Sequence, residues 1–179
     1  MKKIMSLFVV IACTMFATHT FAQKFSTLDK SPMDVAAFPS SYRVSDKVVK
    51  VIYSRPQLKG RSFSKLVKND KVWRTGANEA VEITFYKDVV FGGQPVKAGT
   101  YSLFTIPGQT EWTIILSTAT NVWGSYMYTI EEDVVRVKGT VSKSETPLEA
   151  FSIVFEGEQE NFTMYLGWGT VIVSVPVKG

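Results

Sequence analysis

The chain has 179 residues, 45% of them apolar and 20% charged, with a formal net charge of +4. That length suits one ordinary domain with a single core. It contains one cysteine, Cys13, and one histidine, His19; if both leave with an N-terminal signal, histidine-activated serine or cysteine nucleophiles are excluded, as are imidazole or thiolate metal sites and disulfides.

Residues 1–22 follow the layout of such a signal. Lys2 and Lys3 precede an apolar run from Ile4 to Ala17, and Thr20-Phe21-Ala22 offers a small-residue cleavage site before Gln23. The run is too short to span a bilayer, and no later stretch approaches the ~20 apolar residues that spanning needs. The expectation is an exported protein, periplasmic or secreted, without a transmembrane segment. Val10-Ile11-Ala12-Cys13 also fits a lipoprotein site loosely, but the apolar run continues past Cys13 through Met15 and Phe16, which argues against a lipid anchor there. From Gln23 to Thr100 there are 14 basic and 7 acidic residues, and from Tyr101 to Gly179 there are 4 and 9. Two halves of opposite sign attract within one fold, which is a plainer use of the asymmetry than nucleic acid, a partner that exported proteins seldom meet.

Residues 23–46 are polar and interrupted by Pro32 and Pro39, the pattern of an extended leader. Residues 47–179 form the domain. Within it, Val81, Ile83 and Phe85 alternate with polar neighbours, as do Phe151, Ile153 and Phe155, and Phe162, Met164, Leu166 and Trp168; Trp112, Ile114 and Leu116, and Val171, Val173, Val175 and Val177 recur at the same spacing. Period two marks strands with one buried face. The prediction is an all-β fold, an antiparallel, jelly-roll-like β-sandwich of about eight or nine strands, with helix confined to a short stretch around Ser64 to Lys68. Gly92-Gly93 reads as a tight hairpin, and Pro107-Gly108 as the turn joining Thr100–Ile106 to Glu111–Ser117.

The densest polar and aromatic stretch runs from Tyr53 to Arg61 and from Val72 to Ala80. Arg55, Arg61, Trp73, Arg74, Asn78 and Glu79 are the candidate ligand-binding residues. Guanidinium forks bind carboxylates and phosphates, and an indole offers a flat face to a sugar or a cation, so an anionic or carbohydrate ligand fits. The structural alternative pairs the three arginines with Glu79 and Glu82 and places Trp73 in the core. Glu131-Glu132-Asp133 lacks the spacing of a calcium loop and reads as a solvated turn; no metal or other cofactor is expected.

Tyr53-Ser54-Arg55-Pro56 with Lys59-Gly60-Arg61, Trp73-Arg74-Thr75-Gly76-Ala77-Asn78-Glu79 and Ala98-Gly99-Thr100-Tyr101-Ser102-Leu103-Phe104 resemble the signature blocks of an exported bacterial family, domain of unknown function 2911. The likeness continues through Pro107-Gly108, Glu111-Trp112-Thr113 and Asp133-Val134-Val135-Arg136-Val137. It implies an export signal followed by this one domain, and supplies no catalytic residues. The reading favoured is a non-catalytic binding or interaction module of the cell envelope. The alternatives are a histidine-independent glycoside hydrolase using Glu79 and an acidic partner, or an assembly protein that pairs an open sheet edge with another envelope protein.

Overall fold

The computed structural model describes residues 23–158 and 160–179, so Cys13, His19 and the cleavage site lie outside the described residues. Along the chain come β1 (Met33–Phe38), β2 (Val49–Ser54), one helical turn α1 (Phe63–Leu66), β3 (Val81–Phe85), β4 (Val89–Phe91), β5 (Gln94–Val96), β6 (Gly99–Ile106), β7 (Glu111–Ser117), a 3-10 turn (Ile130–Glu132), β8 (Asp133–Glu158) and β9 (Asn161–Lys178). All nine strands pair antiparallel in one open sheet, ordered β1-β2-β3-β6-β7-β8-β9-β4-β5. The all-β expectation and the strand count hold, and the fold is sandwich-like.

The bend that makes two layers lies in β8. Its first part pairs with β7 through Glu111↔Thr140 and Ile114↔Val137 and begins pairing with β9 from Thr140↔Ser174 to Lys143↔Val171, while its second part pairs with β9 through Ser152↔Gly167 to Glu158↔Asn161. Between them the register shifts twice, around Leu148, and shifts of this kind bend a strand and raise its local twist. The second part of β8 is thereby carried back to the start of the sheet. Leu58 N donates to Glu149 O (2.9 Å) and Phe151 N to Pro56 O (2.9 Å), linking the chain after β2 to β8. The core is filled by alternating residues read from sequence, including Ile83, Phe85, Ile114, Leu116, Ile153, Met164, Leu166 and Val173, joined by Val51 and Leu103.

A second, smaller cluster sits on the opposite face of β6 and β7. There Phe104 and Ile115 are covered by Ala80 and by Val122 and Tyr128, from the long connection between β7 and β8. That connection, residues 118–132, is therefore packed down on the sheet rather than loose.

Two elements differ from the sequence pattern. Six residues of the expected leader form β1, which fits between Pro32 and Pro39 because an edge strand tolerates proline at its ends. The runs ending at Trp168 and beginning at Val171 form the single strand β9; Gly169, at φ 61°, supplies the local kink that reads as a break.

Candidate functional site

The sequence candidates do not converge on one surface. Arg55, at the end of β2, is consumed locally: Nη1 meets Asp34 Oδ2 at 2.8 Å, Nε donates to Phe151 O (3.0 Å) and Nη2 to Ser152 Oγ (2.7 Å). It fastens β1 and β2 to β8. Arg61 turns back on its own loop, donating to Leu58 O (2.9 Å) and Gln57 O (2.7 Å), and stays exposed. Trp73 is buried among Trp112, Phe151 and Trp168, with ring centroids 6.1, 5.3 and 5.9 Å away, so its indole presents no face to a ligand. The Arg74 Nε is buried without a hydrogen-bond partner among the described residues. Neither Glu79 nor Glu82 pairs with these arginines among the described residues; the ion partner of Arg55 is Asp34.

Asn78 and Glu79 lead elsewhere. The segment from Trp73 to Glu79 crosses the end of β2, where Gly76 lies so near Ser54 that an added Cβ would stand 3.0 Å from its carbonyl oxygen. Thr75 is fully buried at φ 60°, a conformation that a β-branched residue rarely adopts. Its hydroxyl lies within hydrogen-bonding reach of Trp73 O (3.3 Å) and Thr105 Oγ1 (3.2 Å), which helps hold the strained turn. Asn78 follows at φ 62°, its amide donating to Asp29 Oδ1 (3.1 Å). That contact and the Ser31 N–H hold the Asp29 carboxyl below the usual carboxylate range, the backbone donor contributing most.

This strained turn delivers Glu79 to a cleft of about 270 Å³, walled by Met33 and Ile52 on one side and by Glu79, Glu82 and Asn121 on the other. Asn121 N donates to Glu82 Oε1 (2.9 Å). Glu79 forms an antiparallel bridge with Trp123, which places both side chains on one face of the pairing. Trp123 is 60% exposed and stands beside the cleft. Among the described residues, no lysine, arginine or histidine lines it, so its electrostatics run opposite to an anion site. It holds acceptors for hydroxyl or amine donors, an amide that both donates and accepts, and apolar walls.

A larger groove of about 550 Å³ runs between β1 and the second part of β8, and Tyr53 and Arg55 cross its floor. The Tyr53 hydroxyl accepts from Ile153 N (3.1 Å) and lies 3.4 Å from Ile153 O; burial, the dominant effect, raises its pKa. These groups seal the seam. Among the described residues, no three or more metal-ligating side chains converge. Asp133, which the sequence pattern leaves on a solvated turn, is instead 94% buried by side chain, at 6% exposure, and takes contacts from the Tyr128 hydroxyl (2.8 Å) and Arg136 Nη1 (3.1 Å).

Asn121 and Trp123 were not singled out by motif. A signal was nonetheless present, since the connection between β7 and β8 is 15 residues long, shows no strand alternation, and carries Trp123, Tyr126 and Tyr128. Long connections of that kind inside compact domains are uncommon, and are usually either functional or linker segments.

Comparison with curated proteins and with solved structures returned no match. The model of one family matches residues 31–177, beginning just ahead of β1 and ending within β9, so the match spans the whole sheet. The chain belongs to the family described as "Protein of unknown function (DUF2911)".

Proposed function

We propose that this protein is an exported, non-catalytic binding module of the cell envelope and that its ligand is a neutral, hydroxyl-rich glycan. The observation that supports this reading is the cleft holding Glu79, Glu82 and Asn121 against the apolar walls of Met33 and Ile52, with the exposed indole of Trp123 beside it. A sugar presents apolar C–H faces and a rim of hydroxyls, which an aromatic face, carboxylate acceptors and an amide complement. Anionic ligands are disfavoured, because two carboxylates line the cleft and Arg55, next in the chain after the lining residues Tyr53 and Ser54, is already engaged with Asp34.

The test is isothermal titration of the mature protein with neutral and uronic sugars. Glu79→Gln and Trp123→Ala should each weaken a neutral sugar by about tenfold or more, as expected for losing a charged hydrogen bond or a stacking face. Thermal midpoints should hold, because both side chains are exposed. Arg61→Ala should change nothing. Preferential binding of uronic acids, or binding indifferent to Glu79 and Trp123, would overturn the reading. Two carboxylates in one cleft also meet the first requirement of a glycosidase; sugar release from oligosaccharides, lost in both Glu79→Gln and Glu82→Gln, would favour that second reading. Export carries its own check. Material recovered from a bacterial host should begin at Gln23, and acyl mass on a fragment beginning at Cys13 would contradict it.

A further inference from the structure

We infer that the cleft is one end of a longer site, which continues across Trp123 onto Tyr126, so that the ligand is an oligosaccharide of two or more rings. This inference rests on the glycan reading above and specifies its ligand.

It starts from how the 118–132 connection is held. Ala80 N donates to Val122 O (2.9 Å) and Gly124 N to Asn78 O (3.0 Å), so both sides of Trp123 are tied to the strand that carries Glu79. Ser125 Oγ donates to Val72 O (3.2 Å), and the Tyr128 ring packs edge-on against Phe104 at 5.2 Å. The segment from Val122 to Tyr128 is therefore anchored at four residues, yet the large side chains between the anchors point to solvent. Trp123 is 60% exposed and Tyr126 82% exposed, and Met127 continues the apolar surface.

Gly124 shows that the Tyr126 ring is seated rather than stray. A Cβ on Gly124 would stand 2.7 Å from Cε2 and 2.9 Å from Cδ2 of that ring, and the residue sits at φ 69°, which favours glycine. One edge of the tyrosine thus rests on the glycine backbone while the rest of the ring faces outward. Trp123 and Tyr126 are three positions apart, with Gly124 and Ser125 between them, a backbone reach of at most about 10 Å, which two neighbouring sugar rings can bridge. An ordered, outward aromatic pair contributes little to the core, and surface of this kind signals a binding partner. Its continuity with the Glu79 carboxylate assigns that partner: a terminal ring enters the acidic cleft against Trp123 while the next ring stacks on Tyr126. A monosaccharide would fill the cleft against Trp123 and leave the Tyr126 shelf bare.

The experiment compares glucose, mannose and N-acetylglucosamine with their β-linked tetramers, titrated into the mature wild type, Tyr126→Ala, Gly124→Ala and Glu79→Gln. At least one tetramer should bind about tenfold tighter than its monomer. Tyr126→Ala should erase that advantage and leave the monomer affinity unchanged; Gly124→Ala, which displaces the ring without removing it, should reduce it in the same direction. Glu79→Gln should weaken monomer and tetramer alike. If Tyr126→Ala leaves the tetramer affinity intact while Glu79→Gln abolishes binding, the shelf is refuted and the glycan cleft stands. If no sugar in the panel binds, or if Glu79→Gln has no effect on any that does, both readings fall. A basic peptide or protein that binds in place of sugars and depends on Tyr126 would likewise overturn the assignment.

Discussion

Asp133 and Tyr128 show how single groups fix the long connection that carries the candidate site. The Asp133 carboxyl is almost wholly buried, one oxygen lacks any hydrogen-bond partner among the described residues, and burial pushes its pKa up. A carboxyl whose pKa is higher folded than unfolded binds its proton more tightly in the native state, so acidification favours the folded form through this group. Measured by thermal melts, the wild type should gain on Asp133→Asn as pH falls from 7 towards the ordinary carboxyl value of 3.8; the opposite slope would mean that the Arg136 pair outweighs burial. Tyr128 is pushed up to about 12, by burial first and then by its bond to Asp133. Its contribution is fully present below pH 10 and lost as pH climbs towards 12, and Tyr128→Phe should remove that alkaline loss. Trp73 belongs to a different class. Its replacement by alanine empties a space among three aromatic rings and should cost about 3–5 kcal/mol of stability in denaturant melts. Trp73→Phe should retain most of that stability and all of the sugar affinity. Binding lost at native stability in Trp73→Phe would return the indole to the site.

At the level of elements, β8 and β9 decide the architecture. Gly139 of β8 lies where an added Cβ would stand 2.6 Å from Val173 Cγ1 of β9 and 3.1 Å from Ile114 Cγ1 of β7, so three strands meet at a point with no spare room. Gly139→Ala should destabilise by about 1–3 kcal/mol, the usual cost of overpacking, and Val173→Ala in the same chain should recover part of it. Strict additivity of the two losses would show that the contact is not the cause. The strands were legible because their buried faces repeat every second residue, as in Val81-Ile83-Phe85 and Phe151-Ile153-Phe155. The length of β8 was not. Its middle, Ser142 to Glu149, is polar and includes Pro147, which reads as a loop, and it stays extended because Leu148 alone re-engages β9 between two register shifts. The site was legible only in part. Glu79 and Asn78 stood out by their polar neighbourhood, whereas Arg55 ties β1 to β8, through contacts with Asp34, Phe151 and Ser152 that lie far from it in sequence. Residues 118–132 gave no periodic pattern, because their order comes from backbone ties to Val72, Asn78 and Ala80 rather than from alternation.

Taken whole, the molecule is an open sheet kept folded by a few cross-links at one seam. Arg55 contributes an ion pair to β1 and two hydrogen bonds to β8, and Arg55→Ala should cost about 1–3 kcal/mol in chemical denaturation, since the groups it serves are partly buried. The loss should raise the amide exchange of β1 ahead of the central strands, because β1 is held on one side only. On its outer side the Val35 N–H is taken by the carboxylate of its own neighbour, Asp34, at 2.7 Å. A terminal strand with an outward donor already taken is a poorer template for another chain. Asp34 should therefore matter less for how hot the protein melts than for how long a concentrated solution stays clear: Asp34→Ala is expected to scatter light and bind a fibril dye sooner than wild type at temperatures where both remain folded.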